Sequence, residues 1–177
     1  MAHETIAVNR APVLILWASV VAERLGFDRG AALSLGKALA GLNARTKGRS
    51  LGIFRSPEQP EGVSPRKARL GEEFRIEILS RPVPAKRTEQ GIRAVVKDRT
   101  IEPDGVERYL QEKFGEELQA VRDAMEHLAR AIKPEELPVI AYSLYERFRP
   151  AIPAGIKGWG AKGDLDLNRI RELAKRG

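Results

Sequence analysis

Two hydrophobic periods alternate along this chain, and the switches between them mark its elements. From Pro12 to Leu25 the apolar residues Val13, Leu16, Trp17, Val20, Val21 and Leu25 recur at helical spacing. Pro12 suits a first helical turn, where its missing N–H has no partner to lose. Gly26 follows as a C-cap that can take positive φ without steric cost. Asp28 then reads as the N-cap of a second helix through Leu42, with Ala32, Leu35, Leu39 and Leu42 facing inward. Between Asn43 and Leu70 the pattern lapses, and Gly48, Gly52, Pro57, Pro60, Gly62 and Pro65 mark a linker-like stretch. Phe74-Arg75-Ile76-Glu77-Ile78 alternates with period two, the signature of a half-buried strand. A second short strand, about Ile92 to Val96, follows Gln90-Gly91, so the two predict a hairpin with a loose basic loop across Pro82 to Gln90.

The helical period returns at Pro103. Val106, Leu110, Phe114, Leu118, Val121, Met125, Leu128 and Ile132 advance by threes and fours, predicting one long helix over about Asp104 to Ile132. Pro134 opens a further helix ending near Phe148, before Arg149-Pro150. A glycine-rich loop, Gly155 to Gly163, precedes a last short helix from about Asp166 to Lys175. The expected fold is mainly α (α+β), with about five helices and one small antiparallel β-hairpin. Residues 1–56 read as an N-terminal helical hairpin, 57–72 as a linker, and 73–177 as a β-hairpin plus helical body and tail. One continuous domain is the alternative division.

Composition narrows the function classes. The 177 residues contain no Cys, which excludes a disulfide scaffold, thiolate zinc, iron–sulfur clusters and cysteine nucleophiles, and suits a reducing cytoplasm. The longest apolar run, Ala11 to Ala22, falls short of the roughly 20 residues a membrane helix needs, and neither a signal peptide nor a membrane partner is expected. The net charge of +7 is unevenly placed: +5 over 1–56, +3 over 57–101, −4 over 102–149 and +3 over 150–177. Such asymmetry accompanies nucleic-acid binding, and it equally follows when helices attract Glu and loops attract Arg.

Within the N-terminal pair, Val21-Ala22-Glu23-Arg24-Leu25-Gly26-Phe27-Asp28 with Ala32 and Leu35 resembles the helix-turn-helix of repressor-type DNA-binding proteins, over about residues 20–39 of the chain. The resemblance implies that the second helix enters the major groove and that the protein binds DNA, as a homodimer in many such proteins. Here the exposed start of that helix offers Asp28, Arg29, Gly30, Ala31, Leu33 and Ser34, a set poor in donors to bases. A plain structural hairpin accounts for the same residues. Phosphate contacts are therefore expected from Arg29, Lys37, Arg45, Lys47 and Arg49, with Arg55 beside them. Ser64-Pro65-Arg66-Lys67-Ala68-Arg69 resembles the short minor-groove motifs of histone tails, which adds Arg66, Lys67 and Arg69. Lys86 and Arg87, placed at the hairpin tip, complete the basic set.

Gly158-Trp159-Gly160-Ala161-Lys162-Gly163 matches G-x-G-x-x-G, but it lacks the preceding strand and βαβ unit of a dinucleotide fold. Lys157 and Lys162 remain as a weak anion site there, with Trp159 more simply an anchor for the tail. No cofactor and no metal are expected. The two histidines, His3 and His127, allow no triad beyond His127, and Asp123 with His127 supplies at most two ligands. Glu112, Glu116 and Glu117 fit the outer face of an amphipathic helix. Stretches such as Leu16 to Phe27 and Lys157 to Gly163 are similar to runs in bacterial proteins of no assigned activity, so no catalytic residue carries over. The expectation is a cytoplasmic DNA-binding protein, with an enzyme or anion-binding protein built around the glycine loop as the least favoured reading. The rival is a protein-interaction or regulatory module using Trp17, Trp159 or the acidic helix face.

Overall fold

The computed structural model describes residues 5–48, 70–79, 81–96, 99–150 and 162–176, with the side chains of 42–48, 162 and 176 excepted. The chain enters through strand β1 (Thr5–Asn9) and turns into helix α1 (Arg10–Arg24). Every residue of α1 from Pro12 to Ala22 is buried, so this helix is apolar all round and forms the axis of the body. Its end follows the sequence closely. Gly26, at φ 109°, lets Phe27 N–H reach the Ala22 carbonyl and its own N–H reach the Glu23 carbonyl, a Schellman closure. Helix α2 (Arg29–Gly48) then starts on Asp28, whose Oδ1 accepts from Ala31 N–H at 2.8 Å.

Helices α1 and α2 cross at Gly36. A Cβ there would stand 2.5 Å from the Ile15 carbonyl oxygen and 2.7 Å from Ser19 Oγ, so the absent side chain is what admits the approach. Against α2 lies an antiparallel sheet in the order β2 (Glu73–Ile78), β3 (Arg81–Thr88), β4 (Gly91–Val96), β5 (Arg99–Thr100). Phe74, Ile76, Ile78, Val83, Ala85 and Ala94 form its inner face. Ser34 Oγ accepts from Ala94 N–H at 2.9 Å and ties α2 to β4 inside the core.

Beyond the sheet come α3 (Pro103–Phe114), a 3₁₀ turn (Gly115–Glu117) and α4 (Leu118–Arg130), then α5 (Leu137–Phe148). Strand β6 (Lys162–Asp166) pairs antiparallel with β1, Thr5 opposite Asp166 and Asn9 opposite Lys162, and leads into α6 (Leu167–Arg176). One apolar cluster takes in residues from Val8 of β1 to Ala174 of α6. Trp17, with no exposed surface, donates Nε1–H to the Ala141 carbonyl at 2.9 Å and fixes α1 to α5. Among the described residues no helix is long and apolar enough to cross a membrane.

The helix-rich α+β character agrees with the sequence pattern, but the strand content exceeds a single hairpin. The expected loop over Pro82 to Gln90 is mostly strand β3. Its prolines lack N–H donors, and the β3–β4 ladder ends at Ala85 opposite Ala94, just where they begin. Pro82 and Pro84 instead stand opposite Glu77 and Arg75 of the edge strand β2. Strands β1 and β6 had no counterpart in the reading of the sequence. The single helix expected over about 104–132 is broken at Gly115, whose φ of 58° and ψ of −132° leave helical geometry. The apolar stripe survives the break, with all eight of its residues buried.

Candidate functional site

The burial of α2 changes the meaning of the N-terminal pair. Ala31 to Gly36 are all buried, with α1, β4 and α3 around them. A recognition helix needs that half exposed to enter the major groove. Arg29 and Lys37 do emerge, but both meet partners within the protein. Arg29 Nη2 lies 3.9 Å from Glu107 Oε1, and Lys37 Nζ stands 5.0 Å from the Tyr109 ring centroid, which Lys113 shares at 5.6 Å. The pair is thus a buried structural hairpin. Trp17, a candidate partner contact from sequence, is core.

Lys86 and Arg87 sit inside β3 and not at the hairpin tip, which is formed by the turn from Thr88 to Gly91. Successive strand residues point to opposite faces, so only Lys86 joins the outer face of the sheet. Arg45 and Lys47 occupy the end of α2, and Lys162 opens β6, but their side chains lie outside the described residues. So do Arg49, Arg55, Arg66, Lys67, Arg69, Lys157 and Trp159 altogether. Asp123 is exposed and accepts from Gln119 Nε2 at 2.7 Å. Among the described residues no group of three or more His, Asp or Glu is placed to hold a metal ion.

What the sheet does assemble on its outer face is a mixed row of charges, with Glu73 and Glu77 of β2 among the cations Arg75, Lys86 and Arg93. Glu73, Lys86 and Arg93 stand opposite one another across β2, β3 and β4, and Arg75 follows one rung along β2. Lys86 and Arg93 are like charges directly opposed, an arrangement that destabilises a sheet unless something compensates it. Arg93 is held by donating to the Ile92 carbonyl at 2.8 Å and the Gln90 carbonyl at 3.2 Å. Its guanidinium packs over Gly30, where a Cβ would come within 3.0 Å, and so reaches the start of α2. The alternation of Ile92 and Arg93 on β4 was the signal that could have found it.

A second ionic group joins the helices. Arg122 of α4 is 3% exposed and lies between Glu23 of α1 at 3.6 Å and Glu107 of α3 at 3.5 Å. Burial lowers the Arg122 pKa first, and the charge of Arg29 lowers it further, against the pull of the two carboxylates. Burial likewise raises the Glu23 pKa, and Arg122 and Arg29 oppose that rise. Arg122 Nη2 and Glu107 Oε2 have no hydrogen-bond partner, so their attraction is ionic contact alone. Beside this group a cleft of about 640 Å³ opens between α1 and α4, lined by Val20, Glu23, Arg24, Glu126, Ala129 and Arg130. Its charges are already matched: Arg130 pairs with Glu126 at 3.6 Å, and Arg24 Nε donates to the Ala129 carbonyl at 3.4 Å. The cluster therefore welds α1, α2, α3 and α4 together and leaves little charge for a ligand.

Comparison with protein-family models, with curated proteins and with solved structures finds no match.

Proposed function

We propose that the protein is a non-catalytic, cytoplasmic binder of nucleic-acid phosphates, and that it works through the outer face of its four-stranded sheet and not through a recognition helix. The observation that carries this reading is the opposition of Lys86 and Arg93 on that face, with Arg75 on the next rung. Glu73 offsets Lys86 from the β2 side, and a phosphate backbone relieves the repulsion that remains toward Arg93. Such contacts carry no base information, so binding is expected to be general in sequence and steep in salt. The +8 balance of residues 1–101 supplies the long-range attraction.

The test is duplex DNA affinity by fluorescence anisotropy over a salt series, for the wild type and for Arg75→Ala/Lys86→Ala. Neither side chain makes a hydrogen bond or ion pair among the described residues, so the fold is retained. The double variant weakens binding equally on unrelated sequences and reduces the slope of log K against log salt by about 2. Unchanged affinity and slope would remove the sheet face from consideration. A protein-interaction module is the second reading, favoured by Val139 on α5, which is 73% exposed. If the wild type binds no duplex even at low salt, that reading takes over.

A further inference from the structure

The first residue of α1 and the residue that caps α5 meet at one corner of the helical body. Arg10 Nε donates to the Pro150 carbonyl at 3.0 Å, and the Tyr145 hydroxyl donates to the Arg10 carbonyl at 3.3 Å. Arg149 N–H donates to the Tyr145 carbonyl at 2.7 Å and closes α5. Beneath them Trp17, Phe148 and Tyr145 pack edge to face, with ring centroids 5.3 and 6.0 Å apart. Trp17 also bonds to the Ala141 carbonyl, so the helix ends that carry the two arginines are tied to one aromatic core. Arg81 at the start of β3 brings a third guanidinium to the same aromatic group, 5.9 Å from the Tyr142 ring, itself 5.7 Å from that of Tyr145.

The charges at this corner are not balanced as those around Arg122 are. Among the described residues neither Arg10 nor Arg149 forms an ion pair with a carboxylate. Glu146 is the acid whose charge reaches Tyr145, and it pairs with neither arginine. Arg10 is disfavoured as a cation first by partial burial and then by the charge of Arg149. Two half-buried like charges cost stability, and an oxyanion between them turns the repulsion into attraction. Among the described residues Arg10 spends Nε on Pro150 and keeps both terminal nitrogens, and the Arg149 guanidinium makes no hydrogen bond or ion pair. A planar guanidinium fork matches two oxygens of one phosphoryl group.

We propose that Arg10 and Arg149 form an anion subsite for a phosphate-class oxyanion, either free or carried on a nucleic-acid backbone. It stands apart from the sheet face and does not rest on that reading. Thermal unfolding of the full chain is followed against inorganic phosphate, with potassium chloride at matched ionic strength as the reference. Wild type gives a saturable rise in Tm with phosphate over chloride. Arg149→Ala, which keeps the backbone bond to Tyr145, weakens phosphate binding about tenfold or more, and Arg10→Lys weakens it while retaining the charge. Arg99→Ala removes the same charge from exposed β5 and leaves the phosphate response intact. A second arm adds a short single-stranded oligodeoxythymidylate. Competition with phosphate that is lost in Arg149→Ala identifies a backbone phosphate as the ligand, and no competition identifies a free one. A response equal to that in chloride, or one unchanged in Arg149→Ala, overturns the proposal. If either variant is destabilised without ligand, phosphorus NMR line-broadening at a temperature where it is folded gives the same comparison.

Discussion

Gly36 and Gly41 lie on the same helix, and the structure requires alanine at the two positions to act with opposite sign. At Gly36 the new Cβ meets the Ile15 carbonyl oxygen at 2.5 Å and Ser19 Oγ at 2.7 Å, well inside ordinary contact. Neither atom can swing aside. The carbonyl belongs to helical backbone, and it already accepts the Ser19 hydroxyl at 2.8 Å. Nor can α1 move as a body, since its residues from Pro12 to Ala22 are buried on every side. Overpacking of a core costs about 1–3 kcal/mol, and a clash with enclosed backbone belongs at the upper end. Against this stands about 1 kcal/mol gained from the better helix propensity of Ala. The net loss is about 2 kcal/mol, or roughly 4–8 °C in Tm for a chain of this size. At Gly41 a Cβ meets nothing within 4 Å, so only the propensity gain remains, and Tm rises by roughly 2–4 °C. Urea unfolding followed by circular dichroism measures both, with unchanged m-values as the check that the ensembles are comparable. A Gly36→Ala protein as stable as wild type would refute the close crossing of α1 and α2.

Two further outcomes follow from the buried polar groups. Arg122→Met leaves Glu23 and Glu107 without their shared cation and costs about 2–3 kcal/mol in urea unfolding, less than for a fully enclosed pair because both carboxylates keep over a quarter of their surface. Adding Glu107→Gln recovers part of that loss, and a single variant of wild-type stability contradicts the ionic weld. Tyr145 is pushed up to about 12, chiefly by burial, from an ordinary value of 10.0. Its folded-state value lies above the unfolded one, so its contribution is complete below pH 10 and is lost as pH rises from there toward 12. Alkaline absorbance titration should show a late phenolate phase that Tyr145→Phe diminishes, and a wild-type titration in which all three tyrosines share a midpoint near pH 10 contradicts the burial.

Local signals were read well from the chain because their chemistry is local. The Schellman closure at Gly26 and the Asp28 cap each involve residues within a few positions, so one glycine and one aspartate suffice to place them. The stripe from Val106 to Ile132 identified a buried face, yet could not reveal the break at Gly115, since threes and fours continue across a single reversed φ. The basic set fared unevenly. Lys86 lies within β3 and not at the hairpin tip, while Arg29 and Lys37 are engaged by Glu107 and Tyr109, residues more than seventy positions away in the chain. Arg122 stands next to Val121 on an amphipathic helix, where any charge suggests solvent, and only the arrival of α1 and α3 encloses it.

Helix ends, the apolar faces, the uneven charge and the absence of thiol chemistry therefore belong to the amino-acid order itself, since each depends on side-chain type and short spacing. The pairing of β1 with β6, the admission of prolines to β3, the enclosure of α2 and the meeting of Arg10 with Arg149 belong to packing. Each of these is settled by which distant surfaces exclude water from one another, a free energy that no short window of sequence contains.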